Sequence, residues 1–384
     1  EKVFPIDARL DYKIVLNESE WLLDPANPYR CKSGFGHSSE LRMPRYHYPL
    51  SSLRRPHTPH GTMSETFRLQ SRYLGYAVGL NVYVPFGYER LSHLPTLYVT
   101  DGHEYADDDM GALCTTLDNL IAERHIKPVM AVFIDPRNPD NPNENRRLEQ
   151  YPANPKFLKF VTREVVPFID ALFRSDARAE ARGFLGTSFG GLCAAFFGAK
   201  ASDTFHFIGI QSPSFWKYPA IFELYDKQPR LPLQIYMSSG TINDTALRAR
   251  QMRDILLRKG YNFLYRETNE SHSWGTWRGG LEEMLLYFFG TPASPNTLSR
   301  VPEHDTNYKL SALPPLTHIH YTLGHREKVT IELYDLYGRD IDQLLCKFQR
   351  RGEHTVELPT LEPGLYFYRL HIGSLCKTQL FRVA

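Results

Sequence analysis

The chain lacks long apolar runs and has few cysteines. No stretch of its 384 residues approaches the ~20 consecutive apolar residues of a membrane-spanning helix, so we expect no transmembrane segment. Its five cysteines are an odd number without close spacing, which argues against a disulfide framework. Cys346 and Cys376 share one small predicted domain and could form a bridge.

The chain also lacks an excess of charge of either sign. Its 45 lysines and arginines against 43 acidic residues give a net charge near +2, so the composition indicates neither nucleic acid nor an anionic membrane as a partner. His57 and His60 lie in a linker-like segment, 45–64, without an accompanying set of cysteines or carboxylates. We therefore predict solvated loop histidines there, and we expect no metal and no cofactor.

Residues 186–190, with the sequence GTSFG, fit the pattern G-x-S-x-G. A short apolar run at 183–185 precedes them, and small and apolar residues suited to a buried helix follow at 191–197. Strand, sharp turn and helix are the setting in which this motif holds a nucleophilic serine on a strained backbone. The glycines stand where a Cβ would collide with its neighbours. The sequence therefore predicts Ser188 as a nucleophile.

A nucleophilic serine needs a base and an acid, because its hydroxyl reacts poorly until the proton is removed. In the chain order of α/β hydrolases the acid comes next and the histidine last, each in a loop after a strand. Asp244 follows a predicted strand at 233–237, and His272 follows another at 262–267. We predict these two as acid and base. Asp244 has the alternative role of a helix N-cap, and Glu270 is the reserve acid.

The oxyanion of an acyl-transfer intermediate needs backbone N–H donors. One donor is predicted at Phe189, the residue after the nucleophile, and the other in the loop after an early central strand. That strand is predicted at 94–100, and its loop contains Gly102 and His103. The N–H of either residue could be the second donor, and the sequence leaves both open.

Several spaced segments within residues 61–292 share their residue types with one enzyme family. They are VYVPFGY at 82–88, LYVTDG at 97–102, GTSFGG at 186–191, QSPSFW at 211–216, and HSW followed by WR within 272–278. These segments resemble the esterase D / enterochelin-esterase-like family of α/β hydrolases, which includes feruloyl esterases, siderophore esterases, S-formylglutathione hydrolases and mycolyltransferases. The resemblance implies a triad of Ser188, Asp244 and His272, in agreement with the spacing above. One departure is the Glu-Ser pair at 270–271, where family members often have two glycines.

Residues 1–60 have a pattern of their own. Short strands are predicted at 11–16 and 20–28 around a Pro-rich turn, and a Gly/Ser loop at 34–41 precedes a last strand. The pattern resembles the second half of the early-set β-sandwich of family-48 carbohydrate-binding modules, which precedes many enterochelin-type and feruloyl esterases. The first half is missing, so sugar binding stands beside the alternative of a structural appendage that packs on the hydrolase.

The composition changes again after residue 292. Short alternating strands with regular turns predict a small β-sandwich, with strands at 319–323, 329–334, 354–358 and 364–370. The segments LYDLYGR at 333–339 and PGLYFYRL at 363–370, with the terminal strand, resemble the C-terminal sorting domain of type IX secretion cargo. That resemblance implies export by the type IX machinery of a Bacteroidetes-type bacterium. The alternative is a plain accessory sandwich.

The predicted fold class is α/β, with an α/β-hydrolase core at 61–292. A small N-terminal β segment at 1–60 and a C-terminal β-sandwich at 313–384 flank this core, and 293–312 form a linker. About 230 residues suffice for such a core.

Together these features predict a secreted or cell-surface serine carboxylic-ester hydrolase that works through an acyl-enzyme. A module of sugar-binding ancestry combined with export favours a feruloyl or acetyl ester on a plant polysaccharide. The alternatives are a siderophore trilactone, held by Arg137, Arg146 and Arg147, or another aryl or polyester substrate. A non-catalytic surface carbohydrate-binding protein is the alternative of another class. The predicted substrate contacts are Tyr105, Arg146, Phe215, Trp216 and Trp274.

Overall fold

The computed structural model describes residues 3–292, 318–323, 325–335, 340–362, 364–372 and 375–383. Its contacts divide the chain into two compact units, Glu1–Ala293 and Ser294–Ala384, and each unit is described by itself. In the described part of the chain, no helix has both the length and the apolar character that crossing a bilayer requires.

The first unit begins with short strands that pair among themselves. They are β1 (Arg9–Tyr12), β2 (Ile14–Leu16), β3 (Glu20–Leu22), β4 (Arg30–Ser33) and β5 (Gly36–Arg42). Strand β5 lies between β1 and β4 in an antiparallel sheet, and β2 and β3 form a separate hairpin. The N-terminal segment is therefore built of strands, and its kinship to a carbohydrate-binding module stays a prediction.

A nine-stranded mixed sheet forms the centre of the first unit. The strands after β5 are β6 (Thr62–Met63), β7 (Phe67–Gln70), β8 (Ala77–Val84), β9 (Thr96–Val99), β10 (Met130–Asp135), β11 (Arg137–Asn138), β12 (Asn141–Asn145), β13 (Arg182–Thr187), β14 (Phe207–Gln211), β15 (Gln234–Gly240) and β16 (Asn262–Thr268). The order across the sheet is β16-β15-β14-β13-β9-β10-β8-β6, with β7 also paired to β8, while β11 and β12 pair outside it. All neighbours from β16 across to β10 are parallel, and β8 is antiparallel to β10.

Helices connect the parallel strands. They are α1 (Gly102–Ala106), α2 (Leu113–Ala122), α3 (Arg147–Gln150), α4 (Pro155–Phe160), α5 (Val166–Leu172), α6 (Phe189–Lys200), α7 (Ala220–Lys227), α8 (Ala246–Arg258), α9 (Trp274–Gly279) and α10 (Leu281–Phe289). Strands β9, β13 and β14 are buried along their whole length, as is typical of parallel strands covered on both faces. Phe184 of β13 stacks on Phe197 of α6 with ring centroids 4.0 Å apart. The predicted α/β core is confirmed.

The carboxyl ends of the parallel strands bring the predicted site residues to one edge of the sheet. Ser188 directly follows β13, and Asp244 lies between the end of β15 and the start of α8. His272 lies between the end of β16 and the start of α9. Loops at this edge of an open α/β sheet are where ligands bind in such folds.

The N-terminal segment packs on the hydrolase core within the first unit. The linker predicted at 45–64 makes buried contacts with α2, because the side-chain amide of Asn119 donates to the carbonyls of Ser51 and Leu53. His60 Nδ1 lies 3.1 Å from a carboxylate oxygen of Asp118. His60 is exposed to solvent, as expected from the sequence, and it also has this carboxylate neighbour. Within the described ranges, no group of three or more histidine, cysteine or acidic residues could hold a metal ion.

The second unit consists of antiparallel strands. They are β17 (His318–Leu323), β18 (Glu327–Asp335), β19 (Asp340–Gln349), β20 (Gly352–Glu357), β21 (Gly364–Ile372) and β22 (Leu375–Val383). Strands β17 and β20 pair with each other, and the remaining four form a sheet in the order β19-β18-β21-β22. Alternate residues of β17 and β18 enter a common apolar core, including Ile319, Leu323, Val329 and Ile331. The linker predicted at 293–312 lies outside the described residues.

The strand register separates the two cysteines that could have bridged. Cys346 on β19 stands opposite Thr330, Thr330 stands opposite His371, and His371 stands opposite Cys376 on β22. The two cysteines are therefore three strand spacings apart, about 14 Å at the usual spacing. A disulfide needs Cα atoms within about 7 Å, so this register excludes the bridge.

Candidate active site

Ser188 stands on a strained turn between β13 and α6. Its backbone has φ 58° and ψ −115°, in a region that side chains with a Cβ rarely adopt. Gly190, in the first turn of α6, lies so close to the hydroxyl of Thr100 that a methyl group in its place would collide with it. The strand, turn and helix predicted around the serine are therefore present, and the turn lifts the serine side chain out of the sheet.

The structure brings Ser188, His272 and Asp244 into one chain of hydrogen bonds. Ser188 Oγ lies 2.9 Å from His272 Nε2, and His272 Nδ1 lies 2.6 Å from Asp244 Oδ1. The Asp244 side chain has no exposed surface, whereas a third of the His272 side chain is exposed. The arrangement is the one in which a histidine can take the serine proton while a buried carboxylate holds its other nitrogen.

Both carboxylate oxygens of Asp244 are occupied. Oδ2 accepts hydrogen bonds from the Ser212 hydroxyl and from the Gly240 N–H, each at 2.6 Å. Burial alone would raise the pKa of Asp244, but the hydrogen bond and charge of His272, with the bonds from Ser212 and Gly240, lower it below its ordinary value. The alternative of a helix N-cap is wrong, because residue 245 is the N-cap of α8 and Asp244 directs its oxygens elsewhere.

Glu270 does not take the position of the acid. Its side chain is buried, and burial raises its pKa to about 7, although the positive charge of Arg9 acts in the opposite direction. Asp244, instead, accepts the hydrogen bond of His272 Nδ1. The reserve acid of the sequence analysis is therefore excluded by the geometry.

The structure adds three contacts of the site that were not predicted: Ser212, Ser214 and Trp277. The indole N–H of Trp277 donates to Ser212 Oγ at 2.9 Å, and that hydroxyl in turn donates to Asp244. Ser214 Oγ lies 3.2 Å from Ser188 Oγ. These residues lie in two of the segments that carry the family resemblance. The resemblance therefore pointed to these segments, but no spacing rule assigned a function to the three residues themselves.

The predicted oxyanion donors occupy the first turns of two helices. Phe189 is the first residue of α6, and Gly102 and His103 are the first two of α1. First-turn N–H groups have no partner within their own helix, so each can donate to an anion. Asp101, just before α1, is held by the guanidinium of Arg147 at 2.7 Å. Gly102 and His103 both stay predicted second donors.

Three of the predicted substrate contacts are core residues instead. Tyr105 is fully buried and donates to Gln211 Oε1 at 2.7 Å, Phe215 is fully buried against Phe222, and Trp274 is 3% exposed. Their rings fill the interior, so their prediction as substrate contacts was wrong. Trp216 is different, because it is 54% exposed and its ring centroid lies 5.8 Å from that of Phe189.

Of the predicted arginines, Arg147 reaches the catalytic elements. It bonds Asp101, donates to the carbonyl of Thr187 at 3.1 Å, and lies 5.4 Å from the ring of Phe189. Arg146, the arginine chosen as a substrate contact, instead lies 4.0 Å over the ring of Tyr76.

Two family models match separate parts of the chain. Residues 71–288 match the family described as "Putative esterase", and residues 316–381 match the one described as "Secretion system C-terminal sorting domain". Among curated proteins, the iron(III) enterobactin esterase of Escherichia coli O6:H1 is 25% identical. That match covers 69% of this chain and 66% of the relative, so the chain spans just under two thirds of its length.

Solved esterases have the same fold. The enterobactin esterase of Shigella flexneri, in the presence of enterobactin, has a TM-score of 0.60 at 23% identity, covering 70% of this chain and 69% of that chain. A CE1 ferulic acid esterase of Anaeromyces mucronatus has a TM-score of 0.51 at 17% identity, covering 62% of this chain and 93% of that chain. The predicted α/β-hydrolase fold is thereby confirmed. Because the esterase model matches more than half of the chain, this chain belongs to that esterase family and is a carboxylic-ester hydrolase.

Proposed function

We propose that the protein hydrolyses carboxylic esters through an acyl-enzyme on Ser188. His272 accepts the serine proton as the hydroxyl attacks the ester carbonyl, and Asp244 holds the imidazole in the tautomer that can do so. His272 then gives the proton to the leaving alcohol, and it activates the water that releases the acyl group.

The N–H of Phe189 donates to the oxyanion of the tetrahedral intermediate, together with the N–H of Gly102 or His103. Such donors are most effective when they are fixed before the charge develops. The bond between Arg147 and Asp101 supports this role, because it anchors the residue from which α1 begins.

The observation that carries the proposal is the continuous hydrogen-bond chain from Ser188 through His272 to Asp244. We expect a fluorophosphonate probe to label wild-type protein at Ser188. Ser188→Ala should abolish labelling and lower ester turnover by about 10³- to 10⁶-fold with folding intact. Ser214→Ala is the matched control, because it removes a neighbouring hydroxyl and leaves the nucleophile. Absence of labelling in the wild type would favour the non-catalytic carbohydrate-binding scaffold, and turnover above a tenth of wild type in Ser188→Ala would contradict the nucleophile.

For the substrate, we propose a feruloyl or acetyl ester on a plant polysaccharide. Trp216 supports the feruloyl ester, because a half-exposed indole beside the residue after the nucleophile can stack on a planar phenolic ring. Trp216→Ala should therefore raise KM for methyl ferulate several-fold and leave KM for p-nitrophenyl acetate nearly unchanged. Equal changes for both esters would contradict aromatic stacking at Trp216.

A siderophore trilactone is the second candidate, favoured by the similarity to enterobactin esterases. The contacts of the arginines weigh against a polyanionic substrate, because each already has a carboxylate partner. The pairs are Arg137 with Asp135 at 2.6 Å, Arg146 with Glu144 at 2.7 Å, and Arg147 with Asp101 at 2.7 Å. Release assays on methyl ferulate, acetylated xylan, a catechol trilactone and p-nitrophenyl esters discriminate between the candidates through their kcat/KM values.

We further propose that the protein is exported to the cell surface or the medium by a type IX secretion system. The match of residues 316–381 to a secretion sorting domain supports this location, which is also where a polysaccharide ester would be met.

A further inference from the structure

Strand β1 lies against the loop that carries His272. The N–H of Arg9 donates to the carbonyl of Asn269 at 3.0 Å, and Arg9 forms a parallel β-bridge with Glu270. The N-terminal segment thus pairs, over a short stretch, with the residues that lead into His272.

The side chain of Arg9 is fully buried beneath the same loop. Its guanidinium donates to Glu40, Asp11 and the hydroxyl of Ser273, each at 2.6 Å. Gly275, in the first turn of α9, lies so close that a methyl group there would overlap the guanidinium. Burial opposes the charged form, yet the charges of Asp11 and Glu40 raise the pKa of Arg9 above its ordinary value.

Arg9 therefore holds the histidine loop on both sides of its catalytic residue. Asn269 precedes His272, and Ser273 follows it directly. Ser273 is also the N-cap of α9, but its hydroxyl makes no capping bond there and is directed to Arg9 instead. A buried guanidinium that loses a partner is costly, so a shift of the loop is opposed by the whole ion-pair cluster.

We propose that Arg9 is a positioning residue for His272, and that the N-terminal segment is consequently part of the catalytic unit. The inference rests on the proposed role of His272 as the base. Arg9 touches neither Ser188 nor Asp244 in this arrangement, and it acts through the loop. An error of about 1 Å in the position of a reacting group can cost on the order of 100-fold in rate.

The test compares Arg9→Gln with Arg42→Gln. Arg42 is the matched control, because it pairs with the other oxygen of the same Glu40 carboxylate at 2.7 Å and remains partly exposed. For Arg9→Gln we expect kcat on a p-nitrophenyl ester to fall about 10- to 100-fold, with KM within about twofold and a parallel fall in the rate of fluorophosphonate labelling. Arg42→Gln should keep wild-type kcat. Equal losses in both variants, or a loss confined to KM, would overturn the inference.

Ser273→Ala covers the case in which Arg9→Gln does not fold. It leaves the pairs of Arg9 with Glu40 and Asp11 intact, as well as the backbone bond to Asn269, and removes the side-chain bond of Arg9 to the histidine loop. We expect kcat and the labelling rate of the folded variant to fall about 3- to 10-fold. The unfolding midpoint should also fall, because the buried guanidinium loses one partner. Wild-type kcat in Ser273→Ala would refute the positioning role. His272→Ala separates this inference from the proposed function: if that variant keeps its activity the base assignment fails, and if it loses activity while Ser273→Ala does not, only the inference about Arg9 fails.

Discussion

At the scale of single residues, the hydrogen-bond donors around the Asp244 carboxylate determine how the base is oriented. It is buried and accepts three hydrogen bonds, two from side chains and one from the Gly240 N–H. These donors favour the charged form, and the charged form in turn fixes Nδ1 of His272 as the protonated nitrogen. Nε2 is thereby left free to accept the proton of Ser188.

Asp244→Asn should lower kcat by on the order of 10³- to 10⁴-fold, and by less than Ser188→Ala. An amide in this position favours the tautomer of His272 that cannot accept the serine proton, while the oxyanion donors stay in place. The pH–rate profile of p-nitrophenyl ester hydrolysis measures the effect, with circular dichroism as the check on folding. Unchanged turnover would mean that Asp244 does not orient the base.

Glu270 should make the protein less stable as the pH rises. Its pKa is about 7 in the folded protein against 4.5 ordinarily, with Arg9, Glu40 and Tyr46 as its charged or titratable neighbours. Between pH 4.5 and 7 the folded protein keeps a proton that the unfolded chain releases, so the free energy of unfolding falls through this window. The protonated Glu270 side chain contributes on the order of 3 kcal/mol to the free energy of unfolding, and this contribution is fully present below pH 4.5.

Glu270→Gln should flatten this part of the pH dependence, because the amide cannot ionise. Urea unfolding at pH 5 and pH 8 measures the difference, and Glu180→Gln on the exposed surface is the control. Parallel pH dependences of wild type and Glu270→Gln would show that Glu270 is not the group that titrates.

At the scale of elements, the sequence predicted those parts of the site that follow local rules. The strand and helix around Ser188 have a recognisable motif, and Asp244 and His272 each follow a predicted strand. The docking of β1 on the histidine loop was not predictable, because Arg9 and Ser273 are distant in sequence and no local pattern links them. The side chain of Tyr105 was misjudged for a related reason, because proximity in sequence to an active-site loop does not determine whether a ring faces the core or the solvent.

Ser212 joins three elements, and Ser212→Ala should therefore be costly. The hydroxyl receives the indole N–H of Trp277 in α9 and donates to Asp244 after β15, while Ser212 itself follows β14. Its removal leaves a buried donor and a buried acceptor each without one partner, which should lower the free energy of unfolding by about 1–3 kcal/mol. We also expect a lower kcat, because Asp244 loses one of its donors.

Ser239→Ala is the control for this prediction. Ser239 is an equally buried serine of β15 whose hydroxyl bonds a backbone carbonyl and Thr245 but none of the triad residues. Denaturant unfolding and steady-state kinetics of both variants measure the contrast. A loss of stability in Ser212→Ala without any loss of kcat would show that the bond from Ser212 to Asp244 stabilises the fold but does not contribute to catalysis.

At the scale of the whole molecule, the two ends of the chain differ in their relation to the hydrolase core. The N-terminal segment shares one compact unit with the core and buries Arg9 beneath the histidine loop. The C-terminal strands form a unit with an apolar core of their own, and a separate family model matches them. A unit with its own core can fold and be replaced independently of its neighbour.

Deletion of residues 294–384 should leave kcat and KM nearly unchanged and abolish release from a host that has a type IX system. The reason is that all the residues proposed for catalysis lie in the first unit, whereas the sorting match lies in the second. Purified truncated protein assayed on a p-nitrophenyl ester gives the first result, and the distribution of protein between cells and medium gives the second. A deletion of residues 1–42 is the contrasting control, and it should lower kcat because it removes Arg9, which bonds the histidine loop, together with its partner Glu40. Normal secretion of the C-terminally truncated chain would refute the sorting role, and a loss of turnover in it would make the second unit part of the catalytic machinery.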